Sequence, residues 1–305
     1  MMNQAIVFPG QGSQSVGMLA ELAERYSGIK ATFHSVSEHL GYDLWQLVQH
    51  GPADVLNQTV YTQVAMLTAD VAVFNVLRSQ GTLHPKMMAG HSLGEYAALV
   101  CSNAISLLDA ASLVQTRGRL MQETVSAGVG AMAAIVGLDD AQVRTICEHS
   151  TTLTEQVTPA NFNAVGQVVI AGHLAAVERA ITLAEKTDAR LAKIIPVSVP
   201  CHCALLVPAA ELFSEALAAV QFQRPNIDVI SNVDLSTYES ADHIRSLLCQ
   251  QLYSPVRWVE TIQKMKQNRV THILECGPGK VLNGLIKRID KSIQVGSACD
   301  ELSHV

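Results

Sequence analysis

The chain has 305 residues, a net charge of −6, 49% hydrophobic residues and only 16% charged residues. A membrane-spanning helix needs about 20 consecutive, mostly apolar residues. The two longest stretches without Asp, Glu, Lys or Arg, 1–20 and 156–177, are broken by proline, glycine and amide side chains. The composition therefore favours a large buried core over a membrane protein, and the acidic balance disfavours nucleic acid, which needs a basic surface.

The N-terminus and the cysteines predict a cytoplasmic location. No Lys or Arg precedes Arg25, and the apolar run 5–8 ends at Pro9, so the pattern is not that of a secretory signal peptide. The seven cysteines are odd in number and scattered along the chain. This usage is typical of free thiols in a reducing compartment rather than of a disulfide framework.

In chain order, short apolar runs alternate with helical patterns. Apolar residues at helical spacing predict helices over 93–100 and 106–125. Buried strands that end in loops are predicted at 4–8, 87–91, 227–230 and 272–276. Because strands and helices alternate, we expect an α/β domain whose parallel sheet is covered by helices on both faces.

The middle of the chain has a different order of elements. The patterns there predict strand 131–136, helix 139–149, strands 156–162 and 167–171, helix 174–186 and strand 190–197. This β-α-β-β-α-β order is that of a ferredoxin-like unit. Such a unit begins and ends on strands, so its termini can lie close together. We therefore predict a small domain, 128–197, inserted into a large domain formed by 1–127 and 198–305.

The strongest local motif is the pentapeptide from Gly90 to Gly94, a G-x-S-x-G pattern between a predicted strand and a predicted helix. A serine at such a sharp turn leaves no space for side chains two residues away, which explains the flanking glycines. The turn lifts the hydroxyl above the sheet, and the helix N-terminus offers N–H groups to an oxyanion. Ser92 is therefore a candidate nucleophile, and the simpler alternative is a serine that only caps a helix.

A serine hydroxyl needs a base, and His202 is the candidate among eleven histidines. It follows a predicted strand inside an apolar stretch, where an unpartnered histidine is costly. The alternative is a core histidine bonded to the backbone. Its neighbours Cys201 and Cys203 lack the usual spacing of zinc ligands, and the chain has no Cys-x-x-Cys, so no metal site is predicted.

Two further features could serve an acyl-transfer site. The glycine-rich loop 8–14 follows the first strand and could present a backbone N–H towards Ser92, although it could equally be a tight turn. Arg117 lies on the apolar side of the helix 106–125, where a guanidinium needs an acidic partner from protein or substrate. Arg119, two residues on, has the pattern of a solvated arginine.

These residues together resemble the malonyl-CoA:acyl carrier protein transacylases of bacterial type II fatty-acid synthesis. The resemblance covers nearly the whole chain. Its motifs are FPGQGSQ at 8–14, AGHSLGEY at 89–96, QTRG at 115–118, NFN at 161–163, GQVVIAG at 166–172, VPCH at 199–202, QLYSPVRW at 251–258 and GPGK at 277–280. One departure is visible: the family commonly has serine before the catalytic histidine, and this chain has Cys201.

The resemblance implies a hydrolase-like domain with a ferredoxin-like insert, and a ping-pong transfer. It implies that Ser92 attacks malonyl-CoA with His202 as the base. The other implied roles are an oxyanion hole from the backbone amides of Gln11 and Leu93, a malonyl-carboxylate clamp at Arg117, and a pocket lined by His91 and Asn163. The backbone carbonyl that orients the histidine would belong to Gln251, with Gln250 as the neighbouring possibility.

The implied partners are malonyl-CoA and an acyl carrier protein, whose own phosphopantetheine thiol takes the acyl group, so no cofactor is expected on this chain. Carrier proteins of this kind are acidic. We therefore expect a local basic patch near the site on an otherwise acidic protein. The candidate residues are Arg190, Lys193, Lys287 and Arg288.

Other functions fit part of the pattern. A serine thioesterase or hydrolase would use the same elbow and histidine, but would ordinarily add an Asp or Glu to orient the base. A malonyl transacylase of polyketide synthesis or malonate decarboxylation would carry much the same motifs. A non-catalytic scaffold that docks a carrier protein would have no need of Ser92 and His202.

Overall fold

The computed structural model describes residues 3–81, 83–126, 128–197 and 199–304. Helices and strands alternate along this part of the chain. In chain order they are β1 (Gln4–Phe8), α1 (Ala20–Arg25), α2 (Ser27–Leu40), α3 (Leu44–His50), α4 (Ala53–Leu56), α5 (Thr59–Ser79), β2 (Met87–Gly90), α6 (Gly94–Cys101), α7 (Leu107–Thr124), β3 (Gly130–Val136), α8 (Asp140–Ser150), β4 (Val157–Ala164), β5 (Gln167–His173), α9 (Leu174–Lys186), β6 (Leu191–Ile194), α10 (Val207–Ala219), β7 (Asp228–Ile230), α11 (Ala241–Gln251), α12 (Trp258–Gln267), β8 (His272–Glu275), α13 (Val281–Ile289), β9 (Gln294–Ser297) and α14 (Ala298–Ser303).

A parallel sheet forms the larger core. Within the described residues its strand order is β7-β2-β1-β8-β9, and every neighbouring pair is parallel. Phe8 pairs with Gly90, and Ala89 pairs with Ile230. Because the strands run in one direction, the loops after β1, β2 and β7 open at the same edge, which is where open α/β sheets bind ligands.

A second sheet is antiparallel, with the order β4-β5-β3-β6 among the described strands. The helices α8 and α9 cover one face and share a buried core with it. The other face, which includes Met132 and Val169, packs against Cys203. The predicted fold class, a parallel-sheet domain with a ferredoxin-like unit, is confirmed.

The strand β4 of the second sheet is hydrogen-bonded to the segment that precedes α12. The N–H of Phe162 donates to the carbonyl of Val256 over 2.9 Å, and the N–H of Val256 donates to the carbonyl of Ala160 over 2.8 Å. The predicted domain limits adjoin residues 127 and 198, which lie outside the described residues. The extent of the insert, 128–197, therefore stays a prediction.

The region 20–79 contains helices that the sequence patterns did not predict, most importantly α5. Nearly all of α5 is buried, because it is apolar on every side and packs inside the larger core. In the described part of the chain, α5 is also the helix whose length and composition would suffice to cross a membrane. In its most apolar stretch of 18 residues, 83% is buried inside the protein. A helix without a polar face has no one-sided periodicity, which is why the pattern was missed.

A buried carboxyl group without a partner interrupts this apolar helix. Asp70 is 0% exposed, and neither of its carboxylate oxygens has a hydrogen-bond partner among the described residues. Burial, and secondly the charge of Glu275, raise the pKa of Asp70 well above its usual value. In the folded protein Asp70 is therefore a neutral acid, whereas in the unfolded chain it ionises near its ordinary pKa.

We expect Asp70→Asn to stabilise the protein increasingly as the pH rises from 5 to 8. A group whose pKa is raised by folding stabilises the folded state fully at a pH below its pKa in the unfolded chain. Between that pKa and the pKa in the folded protein, the free energy of unfolding falls by about 1.4 kcal/mol per pH unit. Asparagine does not titrate, so the difference in unfolding free energy between the variant and the parent should grow as the pH rises, by at most about 1.4 kcal/mol per pH unit. Urea unfolding at each pH measures it, and a constant difference would contradict a buried neutral acid.

Candidate active site

The elbow around Ser92 has the geometry that its glycines predict. Ser92 has φ 51°, a left-handed conformation that side-chain-bearing residues rarely adopt. A Cβ atom at Gly90 would lie 1.8 Å from the carbonyl carbon of Gly94, and one at Gly94 would lie 2.1 Å from the carbonyl oxygen of Phe8. Neither position can hold a side chain. The strained turn therefore stands where β2 meets α6, against the end of β1.

Ser92 and His202 form a hydrogen-bonded pair. The Oγ of Ser92 lies 2.8 Å from Nε2 of His202. The other ring nitrogen, Nδ1, lies 2.8 Å from the carbonyl oxygen of Gln251 and 3.2 Å from that of Ser254. Because carbonyls only accept, the proton must sit on Nδ1, which leaves Nε2 free to accept the serine proton. The Gln251 carbonyl is thus the nearer of two carbonyls beside the histidine, whereas the Gln250 carbonyl accepts from the backbone N–H groups of Tyr253 and Ser254.

The environment keeps His202 neutral. The residue is only 3% exposed. Burial, and secondly the positive charge of Arg117, lower the pKa of His202 to about 3, although its hydrogen bonds to backbone carbonyls act in the opposite direction. The imidazole is therefore an unprotonated base throughout the neutral pH range, as proton removal from a serine requires.

Arg117 is buried beside the nucleophile. It is 1% exposed, and its Nη2 atom donates to Ser92 Oγ over 3.3 Å and to Gln251 Oε1 over 3.0 Å. Its guanidinium also lies over the ring of Tyr96, 5.7 Å from the centroid. Among the described side chains Arg117 has no ion pair, and its Nε has no hydrogen-bond partner. A buried cation thus faces the site with unused donor capacity.

These groups open into one cavity of about 190 Å³. Its wall contains the predicted nucleophile, base and arginine together with the predicted oxyanion and pocket residues, but not Gln251, and apolar side chains from the second sheet complete it. The lining residues are Gln11, His91, Ser92, Leu93, Arg117, Met132, Asn161, Asn163, Val169, Ile195, Val197, Cys201 and His202. The cleft therefore lies where the two sheets meet, a common place for ligand sites.

The predicted oxyanion donors and pocket residues lie around Ser92. A Cβ atom at Gly10 would lie 3.7 Å from the backbone nitrogen of Leu93, so the loop after β1 approaches the N-terminus of α6 closely. His91 Nε2 lies 2.8 Å from Asn163 Oδ1, and burial lowers the pKa of His91. A neutral His91 donates this hydrogen bond, which joins the elbow to β4.

Two of the predicted basic residues share a surface pocket. Arg190 and Arg288 line a cavity of about 690 Å³ together with Lys291 and Gln167. Arg288 donates to Gln167 Oε1 over 2.6 Å. Lys193 is exposed on β6 and Lys287 is exposed at the end of α13, and neither of them lines this cavity.

Lys193 lies on the same face of the second sheet as residues that line this pocket and the active-site cleft. Lys193 pairs with Ala134, which pairs with Val169, so the three side chains point to the same face of the sheet. Val169 lines the cleft, and Gln167, two residues earlier on the same face of β5, lines the basic pocket. We call Arg190, Lys193, Arg288 and Lys291 the basic groove.

Sequence reasoning missed three polar residues that hold the elbow from below. Asn232 Oδ1 accepts from the N–H of Ser92 over 2.7 Å, and its amide donates to the carbonyl of Gly90 over 2.8 Å. Glu95 and Tyr238 are buried and hydrogen-bonded to each other. Asn232 follows the predicted strand β7 at the carboxyl edge of the sheet, and that position could have identified it.

Metal ligation has no structural basis in the described residues. No group of three or more His, Cys, Asp or Glu side chains among them is arranged to hold a metal ion. The thiols of Cys201 and Cys203, which flank His202 in the chain, donate to the backbone carbonyls of Val199 and Pro200. Burial raises the pKa of Cys201 to about 11, so the residue beside the base is a neutral thiol.

Comparisons with known proteins agree with this geometry. The acyl transferase domain family matches residues 5–300. The chain is 51% identical over 299 residues to the malonyl CoA-acyl carrier protein transacylase of Escherichia coli, covering 98% of this chain and 96% of the relative. It is 41% identical over 296 residues to that of Bacillus subtilis, covering 97% and 93%.

Solved structures show the same relationship. The transacylase structure from Coxiella burnetii has a TM-score of 0.97 at 48% identity, over 99% of this chain and 95% of that one. A malonyl-transacylase in complex with a type II PKS acyl-carrier protein has a TM-score of 0.95 at 45% identity, over 99% and 100% of the two chains. The chain therefore belongs to the acyl transferase domain family, and within it to the malonyl CoA-acyl carrier protein transacylases.

Proposed function

We propose that this acyltransferase moves the malonyl group of malonyl-CoA to the phosphopantetheine thiol of an acyl carrier protein, through a malonyl-Ser92 intermediate, and so supplies fatty-acid elongation. The observation that carries the proposal is the site itself: a serine on a strained elbow, 2.8 Å from a neutral histidine, beside a buried arginine that has no ion pair among the described residues. The names of the relatives, which are malonyl CoA-acyl carrier protein transacylases, support the substrates.

In the first half-reaction, Ser92 Oγ attacks the thioester carbonyl while its proton moves to Nε2 of His202. The N–H groups of Gln11 and Leu93 hold the oxyanion that forms. When the carbon–sulfur bond breaks, the coenzyme A sulfur takes the proton from Nε2, and a malonyl ester remains on Ser92. The second half-reaction is the reverse, with the carrier-protein thiol as nucleophile giving its proton to Nε2.

Arg117 selects the acyl group in this proposal. A malonyl group on Ser92 carries a carboxylate, and the guanidinium that touches Ser92 Oγ is positioned to pair with it. His91 and Asn163 line the cleft and are hydrogen-bonded to each other, so they shape the pocket and do not bind the malonyl carboxylate. The uncharged acyl chain of acetyl-CoA would leave the arginine unpaired, which disfavours it.

The serine hydrolase alternative differs in how the base is held. Hydrolases with this elbow use an Asp or Glu to orient the histidine, whereas Nδ1 of His202 faces two backbone carbonyls. Intact-protein mass after mixing with malonyl-CoA separates the functions. A malonyl adduct that persists and is discharged by carrier protein supports transfer. Rapid loss to water supports a hydrolase, and no adduct supports a scaffold.

We propose that carrier protein docks on the basic groove, with Lys287 beside it on α13. The double charge reversal Arg190→Glu with Lys193→Glu should raise the KM for carrier protein by roughly tenfold, because an acidic partner loses electrostatic steering. The KM for malonyl-CoA should change much less. The matched control is Lys30→Glu, an exposed lysine on α2. An unchanged carrier KM in the double variant would remove the docking proposal.

Three further expectations belong to the same proposal. The chain binds no cofactor of its own, because the reactive thiol arrives on the carrier. It acts in the cytoplasm, where free thiols are stable. Residues 128–197 form a domain inserted between 1–127 and 198–305, which supplies one wall of the cleft.

A further inference from the structure

A fully buried carboxylate lies directly under the nucleophilic elbow. Glu95 is 0% exposed and sits in the first turn of α6, three residues after Ser92. Its Oε2 accepts from Gln251 Nε2 over 2.7 Å and from the backbone N–H of Asn232 over 3.1 Å, and its Oε1 accepts from the hydroxyl of Tyr238. Three donors converge on this side chain. An ionised carboxylate accepts all three of these hydrogen bonds, and a proton on Oε2 would oppose the two donors that face it.

Gln251 connects this carboxylate with every reactive group. Its Oε1 accepts from Arg117, its Nε2 donates to the carbonyl of Ser92 over 3.1 Å, and its backbone carbonyl accepts from His202. The amide can make these bonds in one orientation only, with nitrogen towards Glu95 and oxygen towards Arg117. The negative charge of Glu95 selects that orientation, because a proton on Oε2 would oppose the amide hydrogens.

Asn232 gives Glu95 a second connection to the elbow. Its backbone N–H is held by Glu95, while its side chain binds the N–H of Ser92 and the carbonyl of Gly90. Ser92 holds a left-handed backbone conformation, which the surrounding bonds must maintain. Loss of the carboxylate would therefore remove hydrogen bonds that hold the strained turn, and it would also allow Arg117 and His202 to shift.

We propose that Glu95 is a positioning residue whose ionised carboxylate keeps Ser92, His202 and Arg117 in reactive register, and that its protonation limits formation of the acyl-enzyme as the pH falls. This inference rests on the roles proposed above for those three residues. Glu95 touches none of the reacting atoms and acts through Gln251 and Asn232.

The charges around Glu95 set the pH at which this happens. Burial raises the pKa of Glu95 to about 7, although the hydrogen bonds from Tyr238, Gln251 and Asn232 and the charge of Arg117 act against the rise. Tyr238 and Tyr96, the other titratable neighbours, have pKa values raised by burial and stay neutral. His202, with its pKa lowered to about 3, does not titrate near 7. Activity should therefore be half-maximal near pH 7, nearly complete about one unit higher and low about one unit lower, through Glu95.

The test is the single-turnover rate of acyl-enzyme formation from malonyl-CoA between pH 5.5 and 9, a step in which the carrier thiol takes no part. The parent should show an acid limb near pH 7. Glu95→Gln should lose this limb and fall by roughly 10–100-fold on the plateau, because the reacting groups are misplaced. Tyr238→Phe removes one donor to the carboxylate, so the limb should move to higher pH.

The matched control is Glu275→Gln. Glu275 is also fully buried with a pKa raised to about 7 by burial, but it binds the backbone N–H groups of Leu282 and Asn283 instead of the site. This variant should keep the limb of the parent. If Glu95→Gln does not fold, Tyr238→Phe decides alone. A limb that stays in place in Glu95→Gln or in Tyr238→Phe overturns the inference, whereas active Ser92→Ala and His202→Ala variants would overturn the proposed function instead.

Discussion

Ser92→Ala is expected to abolish the malonyl adduct on the protein and to lower kcat for malonyl transfer by on the order of 10⁴–10⁶-fold. The physical reason is that the strained elbow holds one hydroxyl 2.8 Å from a neutral base, and alanine removes the atom that attacks. Intact mass reports the adduct, and a thiol-release assay reports turnover.

Two companion variants make this result specific. His202→Ala should cost nearly as much, and the double variant with Ser92→Ala should be little worse than either single change, because the two residues act as a unit. Ser214→Ala, an exposed serine on α10, is the matched control and should retain the activity of the parent. A normal adduct in Ser92→Ala would place the nucleophile elsewhere.

Arg117→Ala is expected to lower acylation by malonyl-CoA by about 10²–10³-fold relative to acylation by acetyl-CoA. Losing one partner of a buried charge pair costs about 2–5 kcal/mol, and only malonyl-CoA brings the carboxylate. Arg117 also donates hydrogen bonds to Gln251 and Ser92, so part of the loss in acylation rate will affect both substrates. The ratio of the two kcat/KM values is therefore the measurement, since the shared loss cancels.

Two arginine variants give this prediction its controls. Arg117→Lys keeps a charge but loses the fork of donors, so it should recover part of the malonyl preference. Arg119→Ala, two residues along α7, removes an exposed side chain that pairs with Glu123 and should leave the ratio unchanged. Equal losses for both acyl groups in Arg117→Ala would contradict the carboxylate clamp.

Prediction from the sequence worked best where the pattern is local. The elbow depends on glycines two residues from Ser92, and the second sheet on six elements with clear periodicity between 130 and 194. It failed for α5, whose apolar surface has no polar side to mark it. Arg117 lies between these cases. Helical spacing indicated that it points inwards, but its contacts with Ser92 and Gln251 became visible only in the structure.

The sequence by itself determined the fold class and the family and predicted the nucleophile and the base, because each of these depends on residues close together in the chain or on motifs in a fixed order. Only the tertiary structure decided which hydrogen bonds hold the active-site residues in position. Ser92 meets Asn232 across 140 positions, Glu95 meets Tyr238 across 143, and His202 meets the Gln251 carbonyl across 49. The order of parallel strands brings these groups to one edge, and local periodicity does not encode that order.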